Sequence, residues 1–137
     1  MNKKEFLNNN TSEIKDFIIN KEINEYDLFK LAQLNQIELE IGKGWNHLVL
    51  NLIQDLHKMG WNKKVSCIKE KYGTLRFYPE NNFNISGFQL EDLMDDYISK
   101  SEKICEACGE KGELKEYNGI YFTACDVHGR ASKQKPE

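Results

Sequence analysis

Apolar residues recur along this chain with two different periods, and the change of period divides it. Trp45, Leu48, Val49, Leu52, Leu56 and Met59 fall at i, i+3, i+4, i+7, i+11 and i+14, a stripe along one face of an α-helix. Gly60 follows as its expected C-terminal cap. Upstream, Asn8-Asn9-Asn10 is a polar lead-in, and Ile14, Phe17 and Ile18 mark a short helix capped by Thr11 or Ser12 and ending near Ile19. Leu28, Leu31, Ala32 and Leu39 mark a second helix from Asn24, with Gly42 as its stop. From Val65 the period falls to two. Leu75 and Phe77 alternate with Arg76 and Tyr78, which predicts strands over residues 65–70 and 74–78 joined at Tyr72-Gly73. Pro79 and Asn81-Asn82 close this hairpin. Ser86-Gly87 lead into a fourth helix over residues 89–103, with Leu90, Leu93, Met94, Tyr97 and Ile98 on its apolar side. Asn118-Gly119, between residues 113–117 and 120–124, is a two-residue hairpin signal.

The element order predicts an α+β fold. N-terminal helices and a small antiparallel β-hairpin are followed by a helix leading into a zinc-ribbon or treble-clef-like knuckle. Residues 1–104 are expected to form the helical and hairpin domain, residues 105–129 a knuckle packed on it, and residues 130–137 a disordered tail. A chain of 137 residues is long enough to bury a core, and 39% hydrophobic against 30% charged residues argues against wholesale disorder. No apolar run approaches the ~20 residues of a membrane span. Met1 to Glu5 have no apolar run behind them, so no secretory signal is expected and the reading is cytoplasmic. A net charge of −3 opposes bulk electrostatic binding to nucleic acid, which leaves a local basic patch open.

Four cysteines change the picture. In a cytosolic setting, where disulfides are rare, Cys105, Cys108, Cys125 and His128 read as C-x2-C, sixteen residues, C-x2-H. Two short-spaced pairs at that separation are the pattern of a zinc site. A C-x-x-C turn aims both sulfurs at one ion, and a second pair completes the tetrahedron. Gly109 and Gly112 suit the tight turn after the first pair. Four protein ligands leave no open position, so Zn2+ would be structural rather than catalytic. The alternatives are free thiols beside a surface histidine, or a redox C-x-x-C, which leaves Cys125 and His128 unexplained. Cys67 is a rival fourth ligand but reads as a thiol within a strand. The same ligand set accepts other borderline or soft ions.

Lys71, Tyr72, Arg76 and Tyr78 are the candidate binding residues, with Lys69 on the same hairpin. An arginine among lysines and tyrosines can hold a phosphate or a partner's carboxylate; the alternative is an ion pair with an acid of the fourth helix. Glu91, Asp92, Asp95 and Asp96 read as a solvated helix face, since no calcium-loop spacing is present. No G-x-S-x-G, H-E-x-x-H or phosphate-cradling glycine loop occurs, so an enzyme is not the expected class.

The run from Ile68 to Tyr78, the Gly44-Trp45 pair ahead of an amphipathic helix, and the Cys105, Cys108, Cys125 and His128 set together resemble a family of small bacteriophage and bacterial mobile-element proteins. These carry a K-[FY]-G-x-L-R-F-Y motif, a helix and a terminal zinc knuckle. The resemblance spans about Gly44 to Gly129. The last ligand in such proteins is Cys or His, here His128, and Ile120-Tyr121-Phe122 stands where many relatives have a tryptophan. The resemblance implies a phage or mobile-element context in a bacterial host cell. Some small phage proteins block host defences by binding a protein or sequestering a signal nucleotide. The leading expectation is therefore a non-enzymatic protein that binds a host protein through the hairpin. Two others stand beside it. One is nucleic-acid binding through the knuckle, using Lys111, Lys115, Arg130, Lys133 and Lys135 with Tyr117, Tyr121 and Phe122. The other is capture of a small nucleotide by Trp45, Trp61, Tyr72, Arg76 and Tyr78.

Overall fold

The computed structural model describes residues 25–80 and 86–129. The expected helix over residues 11–19, Asn81-Asn82 and the tail of residues 130–137 lie outside the described residues.

Helix α1 (Glu25–Asn35) buries Leu28, Leu31 and Ala32. It stops well before Gly42, the expected stop, because of Asn35. The side-chain amide of Asn35 donates to the carbonyls of Leu31 (3.0 Å) and Lys63 (2.9 Å), and its oxygen accepts from the Val65 amide (3.0 Å). Gln36 then takes a left-handed φ of 56°. Leu39 therefore leaves the helical face and enters strand β1 (Leu39–Glu40), which pairs in parallel with β2, Leu39 opposite Ile68. The periodicity could not show this, because the partners of Asn35 at Lys63 and Val65 lie across a whole helix.

A 3-10 turn (Lys43–Trp45) leads into α2 (Asn46–Lys58). Leu48, Val49, Leu52, Ile53 and Leu56 form its buried stripe. Gly60, at φ 95°, ends it as expected of a left-handed cap. Strands β2 (Val65–Lys71) and β3 (Thr74–Pro79) form the antiparallel hairpin, with Ile68 opposite Phe77 and Lys69 opposite Arg76. Tyr72 and Gly73 take φ of 56° and 79°, the paired positive angles of a tight hairpin turn. The first sheet thus has the order β1-β2-β3, an antiparallel pair with a short parallel edge.

Helix α3 (Gly87–Ser101) begins two residues before the expected Gln89. Ser86 caps it, accepting from the Gln89 amide (3.1 Å) while the Gln89 side chain accepts from the Ser86 amide (3.1 Å). This reciprocal capping box satisfies two donors that a helix start otherwise leaves orphaned. At the other end buried Ser101 accepts from Leu75 N (3.0 Å) and donates to Ile98 O (2.6 Å), tying the helix to β3. Strands β4 (Glu113–Tyr117) and β5 (Ile120–Ala124) make the second hairpin around Asn118-Gly119, in the expected register.

The core lies between α1, α2, α3 and the first sheet, and includes Trp45, Trp61, Leu75, Phe77 and Tyr97. Each fully buried large apolar side chain contributes about 1.5–3 kcal/mol. Trp61 packs on Phe77, ring centroids 6.0 Å apart. No helix among the described residues is long and apolar enough to cross a membrane.

Candidate metal centre

The end of α3 delivers the chain to Cys105, and backbone bonds then fold it back on itself. Cys105 N donates to Glu110 O (2.7 Å), Gly109 N to Cys105 O (2.9 Å) and Gly112 N to Lys103 O (2.9 Å). Gly109 takes φ 82°, the left-handed angle that this turn needs. Strands β4 and β5 return the chain to Cys125, and residues 126–129 form one helical turn, with Gly129 N donating to Cys125 O (2.8 Å). The second pair of ligands therefore sits at a helix start.

Cys105, Cys108, Cys125 and His128 converge, their ligand atoms all within 4.8 Å of one another. They are the one such group of His, Cys, Asp and Glu among the described residues. All four cysteines are free thiols. His128 Nδ1 lies 3.1 Å from Cys125 Sγ and 3.5 Å from Cys105 Sγ, and the Cys108 and Cys125 sulfurs are 3.9 Å apart. A tetrahedral ion with Zn–S of about 2.3 Å and Zn–N of about 2.0 Å sets S···S edges near ~3.8 Å and S···N edges near ~3.5 Å. These four atoms are thus close enough to hold one metal ion, with Nδ1 the histidine ligand.

The electrostatics draw two of the three sulfurs toward the thiolate form. Burial pushes the Cys105 thiol up, but the backbone amides of Cys125, Cys108 and Ala107 outweigh it and bring it down to about 6. The amide of His128 draws Cys125 down, against burial. The Cys108 thiol is raised, because burial and its two sulfur neighbours overcome the amide of Glu110. Contact with Cys125 raises His128. Three sulfurs competing for protons in this way form a site that a divalent ion would relieve.

The knuckle is seated by contacts of Gly42, Gly44 and Trp45 that no local sequence signal marks. Gly44 N donates to Glu106 O (2.9 Å), and the Trp45 indole donates to Ile104 O (2.8 Å). A Cβ on Gly44 would stand 2.1 Å from Cys105 O and 2.6 Å from Gly109 N, and one on Gly42 2.2 Å from Glu106 O. The glycines of Gly42-Lys43-Gly44 therefore mark a close backbone approach. Glu106 Oε2 accepts from Thr123 N (2.7 Å), and burial pushes this carboxyl up to about 7.

The hairpin residues divide. Gly73, Leu75 and Phe77 are buried, while Lys71, Tyr72 and Tyr78 are exposed. Arg76 is half-buried in a cleft with Leu90, Glu91, Met94 and Ile98 of α3. It makes no ion pair with that helix, and its Nε is covered without a hydrogen-bond partner. Glu91, Asp92, Asp95 and Asp96 are exposed, and Asp96 pairs with Lys100 (3.0 Å). Cys67 stays half-buried in β2, outside the ligand cluster. The nucleotide set does not converge: Trp45 and Trp61 are core residues whose indoles are spent on Ile104 O and Lys64 O. Tyr117 pairs with Ile120 and Tyr121 with Glu116, which puts the two tyrosines on opposite faces of the second hairpin. Lys115 lies beside Asp126 (3.8 Å). No family model, no curated protein and no solved structure matches this chain.

Proposed function

We propose that this chain is a zinc-binding, non-enzymatic protein of phage or mobile-element origin that binds a host protein and inhibits a host defence in the host cytoplasm. The convergence of Cys105, Cys108, Cys125 and His128 carries the metal part of the reading. Three sulfurs and one imidazole in a tetrahedron suit zinc, and the full ligand count makes the ion structural. Structural zinc contributes ~10–16 kcal/mol in small finger peptides at neutral pH, comparable with the whole stability of a domain. Its role here is to hold the second hairpin against the first.

The contact surface is Lys71, Tyr72 and Tyr78, with Arg76 beside them. Tyr72 and Tyr78 are 63% and 49% exposed on a hairpin whose other side is core. Exposed tyrosines on a rigid strand pair suit protein recognition, since they contribute large contact area at small entropic cost. The test is capture of a partner by tagged protein from infected cells, beside Tyr72→Ala/Tyr78→Ala. A specific partner lost in the variant, with its zinc and melting midpoint retained, supports the reading. A partner captured equally by both removes this surface.

Nucleic-acid binding by the knuckle is the second reading. The opposite facing of Tyr117 and Tyr121 and the exposed Glu113 and Glu116 between them weigh against it. Binding to DNA or RNA that falls steeply with salt would restore it.

A further inference from the structure

Strand β3 is the last strand of the order β1-β2-β3, so one of its edges faces away from the sheet. In an antiparallel pair the amides of alternate residues point away from the partner strand. The Leu75 amide does so: it donates to Ser101 Oγ (3.0 Å) at the end of α3 instead of to β2. Phe77, two residues on, therefore aims its amide and carbonyl to the same side. Among the described residues neither group makes a backbone bond outside the sheet. Edge groups left open in this way are a template for another extended chain.

A groove flanks that edge. Helix α3 meets β3 at Ser101 and leaves a cleft of about 380 Å3 beside residues 76–79. Leu90, Met94 and Ile98, at i, i+4 and i+8, line its helical wall, a single apolar stripe. Arg76 is its cation. The Arg76 Nε is covered and has no hydrogen-bond partner, a costly state for a donor removed from water. Exposed Glu91 lines the same cleft without pairing to Arg76. Three complementary features thus lie together: backbone groups for an extended chain, an apolar wall, and a guanidinium without an anion.

We infer that this groove takes an extended segment of the protein partner, laid along the β3 edge, with one carboxylate on Arg76 and apolar side chains on the Leu90, Met94 and Ile98 wall. The inference rests on the proposed binding of a host protein through this hairpin and names the segment recognised. Backbone bonds to Phe77 would hold the segment, while the apolar wall and the charge-assisted bond to Arg76 would select it. Pro79 ends β3 without an amide to offer, so the paired stretch is short.

The test is selection of binders from a display library of random peptides against the zinc-loaded protein. Enriched peptides should share an Asp or Glu with apolar neighbours. Their binding should slow hydrogen exchange at the Phe77 amide. Arg76→Gln should weaken them roughly ten-fold and keep zinc content and melting midpoint, since Arg76 has no partner to lose. No enrichment, enriched peptides without an acid, unchanged affinity in the variant, or unchanged exchange at Phe77 overturns the assignment. Self-association of the parent that is lost in Arg76→Gln assigns the edge to a second copy and overturns it also. Capture from infected cells with Arg76→Gln and Tyr72→Ala separates the two levels. A partner lost by Tyr72→Ala but kept by Arg76→Gln overturns the groove alone, and one kept by both overturns the contact surface as well.

Discussion

The hydroxyl of Thr123 donates to the carbonyl of Gly73 at 2.7 Å, joining the turn of the first hairpin to the last strand of the second. Both residues are buried. Gly73 is wedged there: an added Cβ would stand 2.5 Å from Leu114 Cδ1 and 3.0 Å from Phe122 N. The tight turn of the K-Y-G motif thus has a packing role, while its flanking side chains stay free for contact. Replacing Thr123 by Val keeps the shape and leaves the Gly73 carbonyl buried without a donor. A loss of about 1–3 kcal/mol is expected, read as a fall of roughly 5–15 °C in melting midpoint. Zinc stoichiometry should not change. An unaltered midpoint would show that the two hairpins are not joined this way.

Gly44 is the least replaceable glycine at the knuckle. Its hypothetical Cβ meets only backbone, at Cys105 O, Gly109 N and Glu106 C, and backbone cannot step aside as a side chain can. Gly44→Ala should cost more than about 3 kcal/mol and weaken zinc retention against a chelator. Gly87→Ala is the control: nothing lies within 4 Å of that Cβ and its φ is not left-handed. It should be neutral or slightly stabilising.

Tyr97 OH donates to Asp55 Oδ2 at 2.5 Å, joining α3 to α2. Burial, reinforced by that bond and the Asp55 charge, pushes the phenol far above its usual value. The folded state therefore keeps a proton that the unfolded chain gives up near its ordinary pKa of about 10. Stability from this group is fully present below that pH and declines as pH rises above it, by up to ~1.4 kcal/mol per pH unit. Tyr97→Phe should be less stable at neutral pH and lose less between pH 9 and 11. Parallel curves for the two proteins in denaturant titrations across that range would rule out the linkage.

Much of the fold was legible because its signals are local. The Trp45 to Leu56 stripe, the Tyr72-Gly73 and Asn118-Gly119 turns and the C-x2-C and C-x2-H spacings each lie within a few residues. What escaped depends on distant partners. Asn35 ends α1 through Lys63 and Val65, and that release of Leu39 creates the parallel edge strand. Gly42 reads as a helix stop and Gly44 as one half of a Gly-Trp pair until Glu106 and Cys105 are seen against them. The ion pair offered as the alternative for Arg76 does not form: the residue lines a mainly apolar cleft, with its Nε covered and unpartnered. Trp45 and Trp61 are aromatic by composition and unavailable by burial.

The most direct test is metal content of the purified protein by mass spectrometry, beside Cys125→Ala, with X-ray absorption at the metal edge. One zinc per chain with three sulfurs and one nitrogen is expected in the parent, and loss of the metal in the variant. A parent purified without chelator that carries no metal, or a variant that retains it fully, would contradict a metal-held knuckle.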